Sequence, residues 1–418
     1  MKLAPGTPLE VGLLLDEQRP PLPVGRVAIA SGLAVLEWSP EAIAAGHCID
    51  PYLYPAEPGL HAARGRAFEG LHGFLADSLP DAWGRLLMKR RLEKLGVRLE
   101  ALSPVDRLAL VGTGGRGALV YHPATTPHND VGTIDLDALA EQSRALILGD
   151  EGALVETLAQ LGGASGGARP KVHIGFAPGG AISVGPGETP RDHEAWIVKF
   201  RAINDPPDIG AVEQAYAQMA RAAGITVASS RLIAARDNPG YFATRRFDRP
   251  APGQRLHMVS LAGAIEARPD MPSIDYDGFL RATLAITRHA GDVEEAFRRM
   301  VFNILAHNRD DHSRQHSYLM GSDAAWRLAP AYDLTFSAGP GNEHYLAVEG
   351  EGRSPTQQHV MALGKRHGLS DRAIGDIIAL VRSAISDWPG LATELGVTVS
   401  GKEIGQRLAY MDHTFLSA

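Results

Sequence analysis

The chain holds a single cysteine, Cys48, which rules out an internal disulfide and any cysteine-based zinc cluster. Aromatic residues make up only 6%, too few for the stacking platforms that grip single-stranded nucleic acid. An excess of basic charge is missing too. Lys and Arg number 41 against 48 Asp and Glu, for a net charge of −7, so the bulk field repels a phosphate backbone. No run of 18 apolar residues occurs, and the N-terminal stretch MKLAPGTPLEVG has no apolar signal region. These absences predict a soluble protein of a reducing compartment, the cytoplasm, with no membrane partner. What is present looks globular: 44% hydrophobic and 21% charged residues, with 46 Gly and 28 Pro marking a loop-rich chain. At 418 residues, two or three domains are expected.

No internal repeat is visible. Val11–Leu15, Val27–Ala30 and Ala34–Trp38 are short apolar runs between turn residues and predict strands. After Pro80 the spacing becomes helical, with Pro80 in the first-turn position. Lys89, Arg90, Arg91, Lys94 and Arg98 then give either a solvated face or a partner-contact face. Residues 103–121 predict a helix, a glycine turn and a strand. Asp135–Gly149 and Glu151–Leu161 are helical in composition, 172–176 and 195–200 are strand-like, and Val212–Ala223 is a helix ended by Gly224. Strands at Ser230–Ala234 and Tyr241–Phe247 follow. From about 258 onward the pattern is mostly helical. Within it, Asp292 and Glu295 suggest a capping box that opens a helix over 292–306. The expected division is 1–125, 126–255 and 256–418.

Two glycine clusters invite a phosphate reading. Gly112, Gly114 and Gly117 fit the dinucleotide fingerprint, but the run ALVY follows where a helix is required, so a glycine-rich turn is the better account. The second cluster runs from Gly162 to Lys171. Its four glycines let backbone N–H groups converge on an anion, and Arg169 and Lys171 add charge. Pro170 before Lys171 and Val172 after it exclude a Walker A loop. A flexible surface loop is the alternative. Twenty-eight residues on, Lys199 sits inside the apolar strand Trp196–Phe200, where an unpaired ammonium would be expensive. It either snorkels from an edge or contacts phosphate, held by Glu213 on the next helix. Glycine loop, strand lysine and helix glutamate follow the order of a protein-kinase small lobe.

The acidic constellation lies further on. Asp310 is followed by Gln315 five residues later and by Asp333 after 23. Phosphoryl transfer needs a carboxylate for the hydroxyl proton, oxygen ligands for Mg²⁺ and positive groups on the phosphates, and this spacing supplies them in kinase order. A transition-metal site from His307, His312 and His316 with Asp310 is the rival. Those spacings do not put three ligands on one helical face. Asp311 is either a surface charge or a loop stabiliser.

With these motifs in order, the chain resembles the HipA-type serine/threonine kinases, toxins of bacterial toxin–antitoxin pairs. LPDAWGRLLMKRRL and LALVGTGGRGALVY resemble that family's N-terminal region. GGASGGARPK, WIVKF, TRRFDR, RLHMVSLAG, FNILAHNRDDHSRQHSYL and APAYDLTFS resemble its kinase core. The resemblance implies an α+β, kinase-like bilobal fold, with a β-rich small lobe, a helical large lobe and an N-terminal mixed subdomain. It implies ATP and Mg²⁺ as cofactors. Gly163, Ser165, Gly166, Gly167, Ala168 and Lys171 would cover the phosphates and Lys199 would contact them. Arg246, Phe247 and Asp248 would line the adenosine pocket; read alone, Asp248 is a surface ion pair with Arg246 or Arg249. Asp310 would be the base, with Gln315 and Asp333 at the metal. Gln315 stands where the family has Asn, one methylene shorter. Ala164 stands at the regulatory serine position, with Ser165 adjacent as the candidate for autophosphorylation.

The implied partners are a HipB-like helix-turn-helix antitoxin, DNA only through it, and a protein substrate such as an aminoacyl-tRNA synthetase. A small-molecule phosphotransferase is the alternative enzyme. A catalytically weak binding module acting with its antitoxin is the alternative outside enzymes, and Gln315 favours it.

Overall fold

The computed structural model describes residues 7–46, 48–125, 135–149, 155–162, 167–179, 182–183 and 192–416. The first strands are β1 (Leu9–Leu13), β2 (Leu22–Ala30), β3 (Leu33–Trp38), β4 (Leu60–Ala62) and β5 (Leu119–His122). They form one antiparallel sheet in the order β4-β3-β2-β1-β5. Alternation in β3 sends Ala34, Leu36 and Trp38 inward, and Trp38 stacks on Phe74 with ring centroids 6.0 Å apart. The expected strands near 11, 27 and 34 are all here. β2 is longer than its apolar run because β1 and β3 both pair with it.

The segment expected to be helix, turn and strand is so. Ser103 caps the helix Pro104–Val111 in a reciprocal box with Asp106, and Pro104 occupies the first turn. The turn through Gly112 and Gly117 then leads into β5, so a strand and not a helix follows the fingerprint. Gly117 has φ +68°, and a Cβ there would lie 2.8 Å from the Met258 nitrogen. Gly117→Ala is therefore expected to cost about 1–3 kcal/mol of stability, read as a lowered thermal midpoint.

The next strands are β6 (Lys171–Phe176), β7 (Ile182–Ser183), β8 (Glu194–Lys199), β9 (Ser230–Ile233) and β10 (Tyr241–Arg245). β6 pairs antiparallel with both β7 and β8. By its contacts the chain divides into two units. One comprises Met1–Asn204, Ala243–Val259 and Leu319–Ala325; the other comprises Asp205–Phe242, Ser260–Tyr318 and Trp326–Ala418. The second is dominated by helices, among them Ile209–Ala222, Tyr276–Thr287, Ala290–Leu305, Asp371–Ser386 and Gly401–Leu416. Its core includes Tyr216, Phe302 and Trp388, whose rings meet edge to face. No helix among the described residues is long and apolar enough to cross a membrane.

Two local expectations are corrected. The helix expected to open at Asp292 opens at Ala290, with His289 at its N-cap. Asp292 instead accepts the Leu328 N–H at 3.1 Å, and Glu295 accepts from Arg299 and from the Thr226 N–H at 3.0 Å. Distant backbone donors thus take the carboxylates that a capping box would have used locally. Similarly, Pro80 lies outside its helix, which runs Ala82–Lys94 behind an Asp81 N-cap.

Candidate active site

In the first unit, Lys171 and Lys199 are direct partners across the β6–β8 ladder. Opposed residues of an antiparallel pair share one face of the sheet, so the two lysine side chains leave the strands on the same face. Both residues are largely buried, at 4% and 9% exposure. Like charges in that position disfavour the pairing unless anionic groups meet them. The backbone under Lys171 is pinned, because its carbonyl accepts the Trp83 Nε1–H at 3.0 Å. The glycine loop ahead of β6 is described only in part. Gly163, Ser165 and Gly166, with Ala164, lie outside the described residues. Gly167 donates its N–H to Asp81 Oδ2 at 3.1 Å, and Ala168 beside it is exposed. A carboxylate is thus already seated on one loop N–H.

Arg246, Phe247 and Asp248 follow β10. Asp248 is a buried hub. It accepts from Arg246 Nε at 3.0 Å and Nη2 at 2.7 Å, from Arg249 Nη1 at 2.9 Å and from the Gly117 N–H at 2.9 Å. Burial works to raise its pKa, but the two guanidinium groups outweigh it and hold the carboxyl well below the usual carboxylate range. The expected surface ion pair is therefore a buried one. It joins the 112–117 turn to the 246–249 segment, which Arg249 also grips through the Gly117 carbonyl at 2.8 Å. Arg246 has one more partner, His173 on β6, with Nη1 3.3 Å from Nδ1. Phe247 is half-buried.

The second unit carries the acidic residues. The helix Ala290–Leu305 ends in a loop at Ala306, and His307 adopts φ +53° as the chain turns. Asp310 is half-buried, its carboxylate 3.8 Å from His312 Nε2. One short 3₁₀ turn, Ser313–Gln315, brings Gln315 round to Asp333, and its Nε2 donates to Asp333 Oδ2 at 3.1 Å. Asp333 itself has φ +56°, in the left-handed region. Amide and carboxylate, 18 residues apart in sequence, are thus together. Both offer hard oxygen donors of the kind Mg²⁺ takes, once the Gln315 amide turns its oxygen rather than its nitrogen toward the carboxylate. The residues fit the cation.

Asp311 is the loop stabiliser of the two readings. Its side chain is fully buried and accepts from Tyr276 Oη at 2.6 Å, His344 Nδ1 at 2.8 Å and the Tyr345 N–H at 2.8 Å. Burial pushes its pKa up, but His344 and Tyr276 prevail and the net direction is down. Asn303 donates to Tyr276 Oη, and Asn308 to Asn303 Oδ1, each at 2.9 Å. Sequence reading missed Tyr276, Asn303, Asn308 and His344. The only sequence signal was polar residues ending an otherwise apolar helix. Tyr276→Phe removes one of three donors to a buried carboxylate; a loss of about 1–3 kcal/mol in chemical denaturation is expected.

The three histidines of the rival metal reading have separate tasks. His316 stacks on Phe279 at 4.0 Å and burial pulls its pKa down to about 3. His307 stacks on Phe336, and its Nδ1 is 3.1 Å from the Ser337 carbonyl. His312 Nδ1 accepts the Arg314 N–H. Glu213 is buried on the helix Ile209–Ala222 of the second unit, while Lys199 belongs to the first.

Two family models match the chain: HipA-like C-terminal domain over residues 163–388 and HipA N-terminal domain over 21–122. No curated protein sequence matches it. Among solved structures, the fold is similar to that of the Shewanella oneidensis MR-1 toxin–antitoxin system HipA, HipB and its operator DNA complex. There the TM-score is 0.65 at 17% identity, over 98% of this chain and 96% of that one. A Helicobacter pylori proinflammatory kinase, CtkA, aligns with 56% of this chain and 95% of its own at a TM-score of 0.34 and 13% identity.

Proposed function

The chain belongs to the HipA family, and from that premise we propose that it is an ATP- and Mg²⁺-dependent serine/threonine protein kinase. It is the toxin of a toxin–antitoxin pair, with a kinase-like bilobal fold. The reading is carried by the meeting of Gln315 with Asp333, just downstream of Asp310. In this reading Asp310 accepts the proton of the substrate hydroxyl and orients its oxygen toward the phosphorus. Gln315 and Asp333 hold Mg²⁺, which when bound neutralises charge developing on the phosphates. Lys171 and Lys199 hold the phosphates, with Gly167 and Ala168 of the glycine loop beside them. Glu213 partners Lys199. Arg246, Phe247 and Asp248 border the adenosine, with Asp248 acting through the position of Arg246. The buried Asp311 positions the loop and takes no proton.

The proposed partners are a HipB-like helix-turn-helix antitoxin, operator DNA through that antitoxin, and a cytoplasmic protein substrate, an aminoacyl-tRNA synthetase among the candidates. The similarity to the Shewanella complex of HipA with HipB and operator DNA supports the antitoxin and the DNA. Incubation with labelled ATP and cell lysate should label discrete proteins on serine or threonine. Label appearing only on small molecules would replace the reading with a metabolite phosphotransferase.

Gln315 favours a second reading, a binding module with little catalysis. The two readings differ in a Mg²⁺ titration. For an active kinase, Gln315→Asn shifts the Mg²⁺ requirement modestly and Gln315→Ala raises it substantially. For a binding module, turnover is undetectable in the parent as well. Equal activity in all three proteins would remove Gln315 from the metal site and leave the kinase reading standing.

A further inference from the structure

The face of β6 and β8 that carries Lys171 and Lys199 continues past them. Side chains alternate along a strand, so the next residues on that face are His173 opposite Ile197, then Gly175 opposite Ala195. His173 lies two residues, about 7 Å, beyond Lys171. It is the one polar side chain among these four positions.

Its protonation state follows from its neighbours. The Arg246 guanidinium, doubly bound to Asp248, has Nη1 3.3 Å from His173 Nδ1. A guanidinium donates and never accepts, so Nδ1 is the acceptor and the ring proton sits on Nε2. Burial, then Arg246, hold the His173 pKa well below the usual histidine value, so the neutral tautomer persists at neutral pH. Nε2 is shielded from solvent and has no hydrogen-bond partner among the described residues. A buried N–H donor without an acceptor is costly in a folded chain, and such groups mark places where a ligand supplies the acceptor.

We propose that His173 is a nucleoside-recognition residue, its Nε2–H donating to an acceptor on the base or ribose of the bound nucleotide. The proposal rests on the kinase reading above. The two lysines take the phosphates at the loop end of the face, which sends the nucleoside along the strands toward His173. Around that donor the face is apolar or small: Ile197, Gly175 and Ala195. Such a surface suits a flat heterocycle, and the cation beside His173, Arg246, is already taken by Asp248. Arg246 is the positioning residue, because it fixes which ring nitrogen donates.

The test is calorimetric binding of ATP and of inorganic tripolyphosphate, each with Mg²⁺, to wild type, His173→Ala and His173→Gln. His173→Ala should weaken ATP about tenfold and leave tripolyphosphate unchanged. His173→Gln keeps an N–H donor and should recover most of the ATP affinity. Equal weakening of both ligands in His173→Gln, or no weakening of ATP in His173→Ala, would overturn the proposal and spare the kinase. A wild type that binds tripolyphosphate and ATP equally well would overturn it too, since the nucleoside then adds nothing. A wild type that binds neither would overturn the kinase reading itself.

Discussion

Asp310→Ala should lower phosphoryl transfer by about 10²–10⁴-fold while ATP binding stays close to that of wild type. The carboxylate meets the acceptor hydroxyl in the proposed reaction and does not hold the nucleotide. The surrounding loop has its own support, since Asp311 is bonded to Tyr276, His344 and Tyr345 independently of its neighbour. The contact of Asp310 with His312, at 3.8 Å, is itself long enough to contribute little. Transfer is read with labelled ATP and binding by calorimetry. Wild-type turnover in the variant would place the base elsewhere. Loss of ATP binding along with turnover would make Asp310 a nucleotide-site residue.

Asp248→Ala should destabilise the first unit by about 3–5 kcal/mol, the usual cost of stripping one partner from a buried charge pair. Arg246 and Arg249 would be left with side chains only 10% and 12% exposed and no carboxylate, and the Gly117 N–H would lose its acceptor. Asp248→Asn restores an acceptor but not the charge, so most of the loss should remain. Urea denaturation followed by tryptophan fluorescence measures both. Stability within about 0.5 kcal/mol of wild type would show that the hub is dispensable.

The pH dependence has a defined sign. The folded pKa of Asp248 is depressed. Its stabilisation is therefore complete above the unfolded carboxylate value of about 3.9 and is lost as pH falls below that toward the folded value. In wild type an acid-side loss of stability should begin near pH 4, and Asp248→Asn should flatten it. Asp311 contributes in the same direction through its own depressed pKa.

Local chemistry made much of this chain legible before any coordinates. The run 103–121 reads as a helix, a glycine turn and a strand, because turns depend on near neighbours. The apolar strand around Lys199, and the spacing of Asp310, Gln315 and Asp333, stand out in the same way, and the family follows from their order. Asp292 shows where this fails: its pattern reads as a cap, yet a backbone N–H 36 residues away claims it.

Pairing of buried charges was decided only by the tertiary structure. Asp248 needs Gly117, 131 residues earlier; Asp311 needs Tyr276 and His344, 35 and 33 residues away. No period or composition encodes such partners, since they meet only when separate elements pack. The β6–β8 register likewise set Lys171 opposite Lys199 and His173 opposite Ile197, and a slip of one residue would have turned the side chains of the slipped strand to the other face.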